Sequence, residues 1–185
     1  MELSGKAWVA KFPTSKSITD LDPTFKNNLE RFLNALRGAG ATISISATYR
    51  PKERAYLMHY AFRIARLGLD ARQVPKLAGV DIEWAHKNAA GKFDNIASQN
   101  AAEDMVHNYG IVYKPALNSN HTRKTAVDMD ITWAGSLKIS NASGAISTIT
   151  STPRNGQNRD LHAVAKTYGV YKLLSDPPHW SADGH

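Results

Sequence analysis

Ala126-Val127-Asp128-Met129-Asp130-Ile131 alternates apolar and acidic residues, and this period of two decides how the chain folds. As a strand it turns Val127, Met129 and Ile131 towards a core and leaves Asp128 and Asp130 on the opposite face. Its apolar face needs cover, and the flanking sequence supplies it. Asp22-Pro23 gives an N-cap with proline at the first helical position, and Phe25, Leu29, Phe32, Leu33 and Leu36 then recur on one face until Gly38 and Gly40. Residues 42–48 set Ile43, Ile45 and Ala47 against Thr42, Ser44 and Ser46, a half-buried strand that ends at Tyr49-Arg50. A second helix is predicted over 51–67, stopping before Gly68, and residues 70–97 read as loop-rich, with 80–84 a short strand or a lip. Ser98 caps a third helix ended by Gly110, and residues 111–113 and 126–133 read as strands. Residues 137–141 and 145–150 form a hairpin around Ser143-Gly144, 157–168 a last helix before Gly169, and 170–174 a strand. The mixed order, with no repeating βαβ period, predicts an α+β fold: one domain over 1–185, a mainly antiparallel sheet with flanking helices.

Composition narrows the chemistry. With 185 residues and no cysteine, disulfides and thiolate metal sites are excluded, so any metal must be held by nitrogen and oxygen. Lys and Arg outnumber Asp and Glu by 23 to 16, a formal charge of +7 that favours anionic partners. The charges are scattered, without the runs or the finger and helix-turn-helix spacings of nucleic-acid binders, so nucleic acid is not the expected partner. No segment has the length of a membrane span and the N-terminus lacks the apolar run of a signal peptide, so the expectation is cytoplasmic synthesis without membrane insertion, as a monomer.

Two further stretches carry chemistry. Ser119-Asn120-His121-Thr122-Arg123-Lys124-Thr125-Ala126-Val127-Asp128 and Asp176-Pro177-Pro178-His179-Trp180 together supply two imidazoles, a carboxylate ligand and a spare acid. His121, Asp128 and His179 would leave the fourth position of a tetrahedral Zn²⁺ open, which distinguishes a catalytic zinc from a structural one. Ser119 offers a hydroxyl beside the ligands. The paired prolines are expected to hold Asp176 and His179 on one side of a polyproline II segment, base beside ligand.

The pattern S-x-H-x6-D, followed by acid-x-x-H, resembles the zinc peptidases of the D-Ala-D-Ala carboxypeptidase (LAS) group, which cut peptidoglycan stem peptides. Ser46-Ala47-Thr48-Tyr49-Arg50-Pro51 is similar to the strand-end S-x-x-[YW]-R element of that group, whose arginine binds the substrate carbonyl. Two positions depart from the group: Lys124 stands where glycine is usual, and Asp176 replaces glutamate, as in the phage L-alanyl-D-glutamate endopeptidases. The resemblance implies a hedgehog/D-Ala-D-Ala peptidase-like fold with zinc on the sheet. It implies Asp176 and Arg50 as catalytic residues, with Tyr49, Trp180 and Ser119 at the substrate. It also implies a phage-type endolysin that acts on the cell wall after release, with a holin.

Single residues admit blander roles. Asp130 shares a face with Asp128 and could compete with it as a ligand, but because the resemblance selects Asp128 it is expected at solvent or behind the ligands; His59, His86, His107 and His162 read as structural or surface residues. His185 could approach the site, though a frayed terminus is the safer expectation; Trp84 and Trp133 read as packing residues, and Trp180 as a pocket wall because of its neighbour. Rival functions are a D,D- or L,D-carboxypeptidase of the same group and a wall- or zinc-binding module without turnover, against which the acid at Asp176 argues.

Overall fold

The computed structural model describes residues 1–185, in chain order β1 (Glu2–Leu3), α1 (Pro23–Gly38), β2 (Thr42–Ala47), α2 (Lys52–Leu67), β3 (Ile82–Glu83), α3 (Asn95–Tyr109), β4 (Ala126–Thr132), β5 (Leu137–Ser140), β6 (Ile146–Ile149), α4 (Arg159–Thr167), β7 (Tyr171–Lys172) and β8 (His179–Ser181). Four helices and mostly antiparallel strands make it α+β. No helix is long and apolar enough to cross a membrane. The chain divides into two compact units, each with its own core: Met1–Pro13 with Pro51–Ser119, and Thr14–Arg50 with Asn120–His185.

The first unit pairs α2 with α3 around Leu57, Ile64, Ala102 and Met105, with the aromatic rings of Trp8, Tyr56 and Trp84 filling the same core. Helix α2 stops where Gly68 turns left-handed at φ 68°, and α3 stops likewise at Gly110. Only Ile82–Glu83 of the predicted strand over 80–84 is extended, paired in parallel with Glu2–Leu3. Helix α3 begins earlier than the sequence indicated: Asp94, not Ser98, accepts the Ala97 N–H, while the Ser98 hydroxyl turns inward to the Asp94 carbonyl and the His86 N–H. Residues 111–113 form no strand; no neighbouring strand takes up their backbone groups.

The second unit holds an antiparallel sheet of order β2-β4-β8-β7 and the β5-β6 hairpin. Asp22 caps α1 by accepting from Thr24 and Phe25 N–H, and the predicted stripe Phe25, Leu29, Phe32, Leu33 and Leu36 is buried. Each such side chain contributes roughly 1.5–3 kcal/mol through burial. The stripe shares a core with Val127, Met129 and Ile131, the inward face of β4. β4 is central, with β2 on one side and β8 on the other.

Candidate metal centre

The register of the central strand assembles the site. Asp128 faces His179 across the β4-β8 pair, and Met129 donates its N–H to Pro178 O at 2.8 Å. That bond puts Asp128 and His179 at a non-hydrogen-bonded position, where facing side chains approach most closely. On the other side, a bulge between Ile45 and Ala47 inserts Ser46, whose hydroxyl donates to Asp128 O at 3.2 Å. A bulge bends its strand; just beyond it, Thr48 and Tyr49 exchange backbone bonds with Ser15, and the Thr48 hydroxyl bonds to Ser17 O.

His121 comes from a tight turn. Lys124 N–H bonds to His121 O at 3.2 Å and Thr125 N–H to Asn120 O at 2.8 Å, with Lys124 at φ 66°. A lysine therefore adopts here a conformation that favours glycine. Arg50 N–H also donates to His121 O, at 3.2 Å, which ties the strand-end arginine to the ligand loop.

Three donor atoms converge. His121 Nε2 lies 3.1 Å from Asp128 Oδ1 and 3.2 Å from His179 Nδ1, and His179 Nδ1 lies 3.0 Å from Asp128 Oδ1. The outer nitrogen of each ring is committed elsewhere: His121 Nδ1 to Thr48 O at 2.6 Å and His179 Nε2 to His185 O at 3.1 Å. A carbonyl only accepts, so both outer nitrogens carry the hydrogen, and in the neutral rings both lone pairs point inward beside the carboxylate oxygen. Two lone pairs and an anion within 3.2 Å of one another repel unless a cation stands between them. Tetrahedral coordination at zinc bond lengths sets ligand atoms about 3.3 Å apart, so the triangle fits one ion with a fourth corner left over. The three residues thus form a group able to hold a metal ion.

The remaining site residues are placed as follows. Asp176 is exposed, in the turn before β8. The expected polyproline II segment is instead a turn closed by His179 N–H to Asp176 O at 3.1 Å, and Lys172 Nζ donates to Leu173 O (2.6 Å), Asp176 O (2.5 Å) and His179 O (3.1 Å). One ammonium bridging three carbonyls overrides the extended preference of the prolines. Burial lowers the Lys172 pKa, while Asp176 and Asp128 pull it back up. Trp180 is not a pocket wall: it is 0% exposed and packs on Phe32, because neighbours on a strand face opposite ways and His179 takes the site side. Tyr49 is half-buried under Lys124 Nζ, 4.7 Å from its ring centroid, and Arg50 and Ser119 are half-buried. Asp130 is exposed and outside the ligand group.

Sequence reasoning missed Asn120 and misjudged His185. Asn120 Nδ2 donates to Asp183 Oδ1 (2.6 Å) and to His185 O (2.5 Å), so the His185 carbonyl that orients His179 is itself held, and residue 185 is not frayed. These bonds span more than sixty residues, and only the neighbour relation of Asn120 to His121 hinted at them. The comparisons with known proteins find no protein-family model and no curated protein that matches the chain.

Proposed function

We propose that this chain is a zinc-dependent peptidase of peptidoglycan stem peptides, cutting between L-Ala and D-Glu in the manner of a phage endolysin. The observation that carries the reading is the His121–Asp128–His179 triangle, with its open corner and with an exposed acid three residues before His179. The motif order in the sequence supports the same reading. A bound zinc ion supplies a Lewis acid and acidifies water to a pKa near 7. Asp176, held on a turn whose carbonyls Lys172 clamps, accepts the proton of the attacking water. Oxygen bonds to the scissile carbonyl carbon, the C–N bond breaks, and Asp176 returns the proton to the leaving amine. The Arg50 guanidinium serves the carbonyl oxygen on which negative charge develops. His121 and His179 hold their rings through Thr48 and His185, so neither needs to reorient during turnover.

The test is digestion of purified peptidoglycan with and without chelator, followed by sequencing of new amino termini. New N-terminal D-Glu that disappears with chelator is expected. Free D-Ala as the main product would reassign the enzyme as a carboxypeptidase, and no release at all from zinc-loaded protein would overturn the reading.

A further inference from the structure

Asn120 stands beside one histidine ligand and reaches the support of the other. It is 4% exposed, and both polar atoms of its side chain are engaged. Its backbone carbonyl accepts from Thr125 N–H at 2.8 Å and from Thr125 Oγ1 at 3.3 Å, closing the turn that presents His121. Its Oδ1 accepts from Arg123 at 2.6 Å and from Thr125 Oγ1 at 3.1 Å within the same turn. Its Nδ2 donates out of the turn, to Asp183 Oδ1 at 2.6 Å and to His185 O at 2.5 Å. That carbonyl is the one to which His179 Nε2 donates at 3.1 Å. One side chain thus joins the loop of His121 to the partner of His179.

The segment it grips holds that carbonyl in place. Asp183 Oδ1 also accepts from Ser181 Oγ at 3.2 Å and from His185 N–H at 3.1 Å, and Gly184 N–H donates to Ser181 Oγ at 2.8 Å. Ala182 N–H donates to Thr125 O at 3.0 Å. Residues 181–185 therefore form a clasp that runs from the end of β8 back to the His121 turn. The position demands an amide. Its side chain must accept from one segment and donate twice to another, and aspartate, which has the same shape, has no hydrogen to give. The carbonyl that takes the outer N–H of a ligating histidine fixes the ring, and groups in that role govern metal affinity along with the ligands themselves.

We infer that Asn120 is a positioning residue: it ties the His121 turn to the clasp that orients His179, so that the two imidazoles keep one spacing before a metal ion arrives. The inference rests on the metal-binding half of the peptidase reading and on no part of the hydrolytic step. Two measurements test it together. In the first, competition with a chromogenic chelator gives the zinc affinity of Asn120→Asp, which keeps both acceptors and loses both donors. The added charge alone would attract zinc, so a fall of about 10–100-fold reads the lost donors. The second uses the unaltered chain. Coupling between a bond and a ligand is reciprocal, so zinc must strengthen the Asn120 bonds by the factor their loss costs in affinity. Magnetic resonance should show the Asn120 Nδ2 protons exchanging with water about 10–100-fold more slowly when zinc is bound. A residue that only stabilised the fold would lower stability in Asn120→Asp and leave that exchange rate indifferent to zinc. Zinc affinity of Asn120→Asp within about threefold of the unaltered chain, or side-chain exchange unchanged by zinc, would each overturn the inference, and the exchange measurement decides alone if the variant does not fold. Absence of zinc binding by the unaltered chain would overturn the inference and the peptidase reading together. Zinc binding with the expected coupling, but without cleavage of peptidoglycan, would overturn the peptidase reading alone.

Discussion

Two pairs of histidines, one pair in each unit, differ in what their second nitrogen does. In the first unit, His59 ends on Pro115 O and His86 on the Ser4 hydroxyl at 3.0 Å, each ring tying one segment to another. In the second, His121 and His179 use one nitrogen for such a tie and aim the other at a shared point with Asp128. Convergence, more than burial or residue type, therefore separates a group able to hold a metal ion from structural histidines. The sharpest way to break this contrast is His121→Ala with His179→Ala. Loss of two of three ligands should lower zinc affinity on the order of 10⁴-fold or more, read by metal analysis after dialysis. In the unaltered chain, zinc at about 100 times its Kd should add about 2.7 kcal/mol to whatever unfolds with the site. Hydrogen exchange should show this as slower exchange in β4 and β8 and unchanged exchange in α2 and α3. Equal zinc protection in both units would end the contrast.

Asp176 tests whether the second unit does chemistry as well as binding. Asp176→Ala should keep the metal and lose activity by about 10²–10⁴-fold, the usual worth of a positioned acid–base group. Asp176→Glu should also fall, because Lys172 and the turn fix the backbone and an extra methylene displaces the carboxylate by about 1 Å, enough for around 100-fold. Metal loss in Asp176→Ala would make the residue a ligand, and full activity in either variant would remove it from the mechanism.

Local signals explain what was legible beforehand. Helix α1 was readable because its cap, its proline and its apolar stripe all lie within sixteen residues, and β4 because alternation is local. That His121, Asp128 and His179 form a group able to hold a metal ion was readable because side-chain chemistry is written in the residue type. The turn at Asp176-Pro177-Pro178 was not, since the Lys172 ammonium that sets it acts through tertiary geometry. Trp180 could have been placed correctly from the same alternation that placed Val127, by noting that a strand cannot aim both His179 and Trp180 at one site. The ties of His121 to Thr48 and of Asn120 to His185 are backbone contacts across 73 and 65 residues, and backbone carbonyls leave no mark in a sequence.

A smaller effect should belong to the first unit alone. Burial pushes the Tyr109 hydroxyl up to about 12 from an ordinary 10.0, with Arg54 opposing only in part. The folded form thus holds its proton where the unfolded form releases it, so this stability is complete below pH 10 and is lost as pH rises from 10 to about 12. Two pH units at about 1.4 kcal/mol each set the ceiling, and partial exposure reduces it to roughly 1–2 kcal/mol. Denaturant unfolding of Tyr109→Phe should accordingly lose less stability over that range than the unaltered chain. Parallel losses in the two proteins would show that the ring is not desolvated.

The smallest effect compares two left-handed residues. The first unit uses glycine at such a place, Gly68 at φ 68°, whereas the second uses Lys124 at φ 66°. For a residue with a Cβ that conformation costs about 1–2 kcal/mol, and the lysine recovers about 0.5–1 kcal/mol by lying 4.7 Å over the Tyr49 ring. Lys124→Ala keeps the strain and loses the ring contact, so it should destabilise by about 0.5–1 kcal/mol. Lys124→Gly relieves the strain while adding about 0.5–1 kcal/mol of chain entropy to the unfolded state, which nearly balances the lost contact, so glycine should be more stable than alanine by about 0.5–1 kcal/mol. Gly68→Ala, by contrast, introduces strain with no compensating contact and should cost about 1 kcal/mol. If Lys124→Gly falls as far as Lys124→Ala, the lysine is retained for its contact with Tyr49 and not in spite of its backbone. The turn that presents His121 would then be held by side chains, where the helix end at Gly68 is held by glycine.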